Sequence, residues 1–124
     1  MKKILIFILL ICFLTNCDFT YTYWSDGNYE VTNTAGAPDG YILYNSNHGR
    51  VSNILEIGST GNFIVAKSEN KYSNNKIEYW VLDKSKDDKY LNADEIMMGP
   101  YTLDEFNSKK KELGIESLKF QKHF

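Results

Sequence analysis

Along the 124 residues the apolar and polar positions follow three successive patterns. Ile4 to Leu14 is an unbroken apolar run introduced by Lys2 and Lys3. From Phe19 to Leu82 the period is two, in short stretches divided by turn formers, which is the mark of strands. After Gly99 apolar residues recur at helical spacing among charges.

Phe19-Thr20-Tyr21-Thr22-Tyr23-Trp24 alternates aromatic rings with threonine, Ser25 to Asn28 is a turn, and Tyr29-Glu30-Val31-Thr32 resumes the alternation. A first hairpin is expected there; the competing reading of its first strand is an unpaired tether. Asn33 to Gly40 reads as a loop, Tyr41 to Tyr44 as a strand, and Asn45 to Arg50 as another loop. Val51 to Ile57 and Phe63 to Lys67 form a second hairpin across Gly58 to Asn62, and Glu69 to Lys76 is a solvent-facing loop. Ile77 to Leu82 is interrupted only by Glu78, so a central strand covered on both faces is expected. Ser117 to Phe124 alternates weakly, as a last edge strand would.

The clearest local signature follows Gly99-Pro100. Thr102 as N-cap with Glu105 three residues on makes a capping box, and Tyr101 and Phe106 stand at the two positions of a hydrophobic staple. Gly114 supplies a left-handed stop, and acids at the start with Lys109, Lys110 and Lys111 at the end suit the helix dipole. The pattern predicts a helix from Leu103 to Leu113 with Leu103, Phe106 and Leu113 on its apolar side. The fold class expected is therefore α+β, mostly β: an antiparallel sheet of hairpins with one capped C-terminal helix packed on a face.

The start of the chain changes where this domain is expected to live. Two lysines, then an apolar run shorter than the roughly 17–25 residues of a spanning helix, then Leu14-Thr15-Asn16-Cys17, are the layout of a secretory signal. Leu14-Thr15-Asn16-Cys17 resembles the lipobox of bacterial lipoproteins. That resemblance implies removal of residues 1–16, acylation of Cys17, and a single extracytoplasmic domain over 17–124, lipid-anchored at the cell membrane or outer membrane. A secreted protein cut elsewhere and an uncleaved anchor are the other readings of this segment. Only Asp18 separates Cys17 from the strand expected to begin at Phe19, which would hold the domain close to the bilayer.

Removing those residues takes two of fourteen Lys and Arg against sixteen acids, a net charge of −4. No dominant basic stripe remains, which argues against nucleic acid as a partner. Of two cysteines, Cys12 would leave with the signal and Cys17 would carry lipid, so no internal disulfide is expected.

Catalytic and metal motifs are weak. Gly58-Ser59-Thr60-Gly61 lacks the lysine, spacing and following helix of a phosphate loop. His48 and His123 are not at ligand spacing, and His48 is the one imidazole that suits a general base. Asp83, Ser85, Asp87 and Asp94 fall at calcium-loop positions, but Asp88 stands where the loop needs glycine and Asp94 where it needs glutamate. Tyr21, Tyr23, Trp24 and Tyr44 can line a binding face, with packing as the competing account. Tyr79 and Trp80, adjacent on one strand, must face opposite sides.

Glu78-Tyr79-Trp80-Val81-Leu82-Asp83, Gly99-Pro100-Tyr101-Thr102-Leu103-Asp104-Glu105-Phe106 and Lys111-Glu112-Leu113-Gly114-Ile115, with the lipobox, resemble an uncharacterised family of short bacterial lipoproteins known as domain of unknown function 3997. The resemblance covers Ile77 to Phe120 best and implies a location, with no activity and no site residues. The expectation is a non-enzymatic accessory or binding protein held by membrane lipid through Cys17, with another envelope protein as partner and no cofactor. A small hydrolase using acidic residues with or without His48, and a structural envelope component, are the alternatives.

Overall fold

The computed structural model describes residues 20–34 and 39–124. The leading apolar run, Cys17 and Phe19 lie outside the described residues, as does part of the loop expected from Asn33 to Gly40.

Four strands, β1 (Thr20–Asp26), β2 (Tyr29–Thr34), β3 (Ile42–Asn45) and β4 (His48–Val51), form an antiparallel meander in sequence order. Five more are β5 (Ile54–Ser59), β6 (Phe63–Asn70), β7 (Lys76–Asp83), β8 (Met98–Tyr101) and β9 (Lys122–His123). They make a second antiparallel sheet in the order β8-β7-β6-β5-β9. A short helix, α1 (Ala93–Ile96), precedes β8, and α2 (Leu103–Glu112) follows it. The α+β, mostly β architecture expected from the sequence is the one found.

Side-chain alternation explains the layering. On β6 and β7, Ile64 and Leu82 join Tyr29, Val31, Leu43 and Val51 of the smaller sheet in one core, while Val65 and Val81 pack with Phe106, Ile115 and Leu118 in another. The larger sheet is thus the middle layer, with the small sheet on one face and α2 on the other. Fully burying each such aliphatic side chain contributes about 1.5–3 kcal/mol. β7 lies between β6 and β8 and is covered on both sides, as its near-continuous apolar run requires. Tyr79 packs toward the helix and Trp80 toward the small sheet, in opposite directions.

Helix α2 has the caps its sequence announces. Glu105 N–H donates to Thr102 Oγ1 at 3.3 Å, and Thr102 N–H donates to Glu105 Oε1 at 3.0 Å. At the other end Gly114, at φ 71°, and Ile115 donate to Lys111 O and Lys110 O. These two bonds close a Schellman motif. Tyr101 and Phe106 share one core, but Leu103 does not join the apolar side: it is 51% exposed.

Other boundaries also differ from the sequence reading. Val51 to Ile57 is not one strand: Asn53, at φ 53°, breaks it, so β4 closes the first sheet and β5 opens the second. Asn45 to Arg50 is not a loop but the β3–β4 hairpin, turned by Ser46 and Asn47 at φ 46° and 73°. Two consecutive positive φ values match the twist of a tight hairpin, and asparagine tolerates them. Gly99 and Pro100 lie inside β8, an edge strand where the missing proline N–H costs no ladder bond. Gly58 belongs to β5 rather than to the turn after it.

Candidate functional site

The stretch between β7 and α1 is acidic and irregular in sequence, yet one of its carboxylates is the most deeply held charge among the described residues. Asp87 Oδ2 accepts from Tyr29 Oη at 2.8 Å, Asn45 Nδ2 at 3.0 Å and Arg50 Nε at 3.1 Å. Asp87 Oδ1 accepts from Arg50 Nη2 at 2.9 Å, and the side chains of Arg50 and Asp87 are 1% and 0% exposed. Arg50 also donates to Gly49 O and Asp88 O. The donors come from β2, β3 and β4, so this cluster pins the 83–92 connection across the small sheet. Burial alone would raise the Asp87 carboxyl; the bonds from Arg50, Tyr29 and Asn45 outweigh it and hold the group below the ordinary 3.8. Burial, reinforced by the hydrogen bond to Asp87 and its charge, pushes the Tyr29 phenol above its ordinary 10.0. At the other end of the same connection Lys84 Nζ bonds Asp26 Oδ2 at 2.7 Å, tying the first hairpin to the end of β7.

Beside this strut lies a cleft of about 370 Å³, lined by Arg50, Trp80, Ala93, Asp94, Met97, Gly99 and Pro100. Trp80 forms one wall, and its indole N–H donates to Ser68 Oγ at 2.8 Å, which fixes the ring. Gly99 makes room there: a Cβ on it would stand 2.7 Å from Tyr79 O and 3.1 Å from Trp80 Cε3. A polar hollow of about 230 Å³ shares Arg50 and Trp80 and adds Asp39, Asn53, Asn70 and Glu78. Arg50 and Trp80 therefore line both spaces.

The residues singled out from sequence separate. Tyr21 and Tyr23 meet edge-on, centroids 4.9 Å apart, and Tyr23 continues to Tyr41 at 5.1 Å and Tyr41 to Phe124 at 4.8 Å. Trp24 packs against the core instead, and Tyr44, on the opposite strand face from Leu43, points out of the sandwich. Of the calcium-loop positions, Asp83 accepts from Ser85 Oγ and N–H, Asp87 faces Arg50, and Asp94 lies at the cleft on α1. No group of three or more His, Cys, Asp or Glu suited to a metal occurs among the described residues. His48 is exposed, its ring 6.4 Å from that of Tyr90. His123 pairs with Glu56 across the β5–β9 ladder.

The model of a family of proteins of unknown function (DUF3997) matches residues 26–123. The chain belongs to that family. No curated protein and no solved structure matches it. The matched span runs from the end of β1 to β9, so the strut, the cleft and the capped helix all fall inside the shared domain. Among the described residues, no helix is long and apolar enough to cross a membrane.

Arg50, Asn45 and the cleft were not legible as a site. Arg50 sat in an apparent loop, and the aspartate that meets it lies 37 residues away. The one available signal was that Arg50 is the sole arginine in the sequence, which points to no particular partner.

Proposed function

We propose that the chain is a lipid-anchored, extracytoplasmic accessory protein of the cell envelope that acts by binding, through the cleft between Trp80 and Met97. The cleft itself carries the reading. Its size falls within the roughly 300–1,000 Å³ of ligand-binding clefts, and its walls are mainly apolar and aromatic with few polar groups. The Arg50–Asp87 strut fixes one wall and Ser68 fixes the Trp80 ring, so the space is formed before anything enters. A preformed space lowers the ordering cost of association. An apolar side chain of an envelope partner suits it, with the polar hollow that shares Trp80 and Arg50 receiving flanking hydrogen-bonding groups. The sequence from Lys2 to Cys17 supports the anchor and the location.

The experiment is in-cell crosslinking of the C-terminally tagged full chain beside two variants, Ala93→Trp, which fills the cleft, and Cys17→Ser, which removes the acylation point. The expected result is one envelope protein crosslinked to the wild type and lost from Ala93→Trp, with melting temperature and abundance unchanged. Equal crosslinking by wild type and Ala93→Trp would sink the cleft as the binding site. Palmitate labelling that persists in Cys17→Ser would sink the anchor.

A further inference from the structure

The aromatic row on β1 has a different address from the cleft. Tyr21, Tyr23, Tyr41 and Phe124 touch in succession, so one row joins the first described strand to the last residue of the chain. Its outer members are not needed to close the core: Tyr21 is 66% exposed and Tyr23 38%. The bulge on β1 between Thr22 and Trp24 brings this about. It sends Trp24 to the core beside Val31 and leaves Tyr23 free to meet Tyr21 edge-on. The same bulge disrupts the edge of β1, which is unpaired among the described residues, and makes it a poor template for another strand. What β1 offers is therefore its rings.

Tyrosine combines an apolar ring with a polar tip and is enriched where membrane meets water. Position supplies the second argument. β1 begins at Thr20, three residues after Cys17, and three extended residues reach roughly 10 Å. On the lipoprotein reading above, on which this inference rests, Tyr21 and Tyr23 cannot stand far from the headgroup layer. The cleft lies at the other margin of the sandwich: β1 and β4 are opposite edges of the small sheet, and Arg50 of β4 lines the cleft.

We propose that the row of Tyr21, Tyr23, Tyr41 and Phe124 is the face that the anchored domain lays on the bilayer interface, its occupant the lipid headgroup layer, so that the Trp80 cleft is turned toward the surroundings. The mature domain carries a net charge of −4, so this contact does not depend on anionic lipid.

The test uses the full-length acylated protein, purified into phosphatidylcholine vesicles with no other protein present. Enzymatic iodination from the aqueous side reads each tyrosine in one sample. Tyr72 and Tyr90, 93% and 77% exposed, label, and Tyr21 is protected at least fivefold relative to them. Brominated phosphatidylcholine quenches Trp24, read in Trp80→Phe, more strongly than Trp80, read in Trp24→Phe. Raising the fraction of anionic lipid strengthens neither reading. Labelling of Tyr21 at the rate of Tyr72, with equal quenching of the two tryptophans, would overturn the proposal and leave the row to a protein partner. Acyl mass on Cys17 is measured first. Its absence would overturn the anchored reading and this orientation together, whereas acylated Cys17 with an unprotected Tyr21 would overturn the orientation alone.

Discussion

Arg50 and Asp87 meet as a two-pronged ion pair sealed from solvent, Nη2 to Oδ1 at 2.9 Å and Nε to Oδ2 at 3.1 Å. With Tyr29 and Asn45 also donating, three strands of the small sheet converge on one carboxylate from a connection that has no regular structure at that point. The pair therefore decides whether the 83–92 connection, and with it one wall of the cleft, has a fixed position.

Asp87→Ala should destabilise the domain by about 3–5 kcal/mol, because it leaves the Arg50 guanidinium buried without its counter-charge. Asp83→Ala, which removes a carboxylate held only locally by Ser85 and a long ion pair to exposed Lys86, should cost under about 1 kcal/mol. Urea unfolding of both variants measures the difference. Similar costs would mean that the Arg50–Asp87 pair is not what holds the connection.

The same cluster gives stability a pH dependence at both ends. The Asp87 carboxyl lies below its ordinary 3.8 in the folded state, so the unfolded chain binds the extra proton first. Its contribution is complete above about pH 4 and is lost as pH falls through the depressed folded value. The Tyr29 phenol is raised above 10.0, so its contribution is complete below about pH 10 and falls as pH rises beyond it. Tyr29→Phe should therefore lose about 1.5–3 kcal/mol at pH 7, the worth of a hydrogen bond to a charged group. It should also flatten the alkaline limb while weakening the acid limb only in part, since Arg50 and Asn45 still hold Asp87 down. Urea midpoints at pH 7 and pH 11 check this; an alkaline limb unchanged by the substitution would assign it to other groups.

How much of this was legible follows from how local each cause is. The capping box, the Schellman stop and the covered run of β7 depend on residues a few positions apart, and the sequence shows them directly. Turn residues were legible as turns but not always as hairpins. Ser46 and Asn47 looked like loop because polar residues at positive φ are needed equally by a two-residue turn and by an irregular one. Gly99-Pro100 reads as a turn from the sequence, whereas pairing with β7 makes it part of an edge strand. The strut was illegible because its charges are far apart in sequence and Asp87 sits among lysines and aspartates that look solvated. The aromatic face was half legible: period two gave Tyr21 and Tyr23, while the β1 bulge that sets Trp24 opposite Val31 in the core, and the addition of Tyr41 and Phe124, come from the fold.

The helix supplies a prediction in which its two large apolar residues part company. Phe106 is 2% exposed and stacks on Tyr79 at 5.0 Å, whereas Leu103 is 51% exposed. Phe106→Ala should cost about 3–5 kcal/mol. Leu103→Ala should stay within about 0.5 kcal/mol, since alanine is also a good helix former. Thermal unfolding of the two variants decides between this packing and the apolar side that helical periodicity alone implies. A large loss from Leu103→Ala would show that it is covered in solution.

Gly58 tests how the chain end is held. It lies within β5, where a glycine has no evident purpose until the C-terminal segment is considered: a Cβ there would stand 2.2 Å from Lys119 O and 3.2 Å from Phe120 Cα. Backbone faces backbone at this point, so no flexible side chain can move aside. Just beyond it Gln121 N–H donates to Ile57 O at 2.8 Å and Phe124 N–H to Leu55 O at 2.9 Å, fastening β9 and the last ring of the aromatic row to β5. Gly58→Ala must push that segment away, at a cost of about 1–3 kcal/mol. It should speed amide exchange at Gln121 and Phe124 while leaving the β6–β7 ladder protected. Gly61→Ala, in the neighbouring turn with nothing within 4 Å of the added carbon, is the matched control and should change neither. If the two variants exchange alike, the close approach of Lys119 does not set the position of β9, and the join from β1 to Phe124 along the aromatic row loses its mechanical basis.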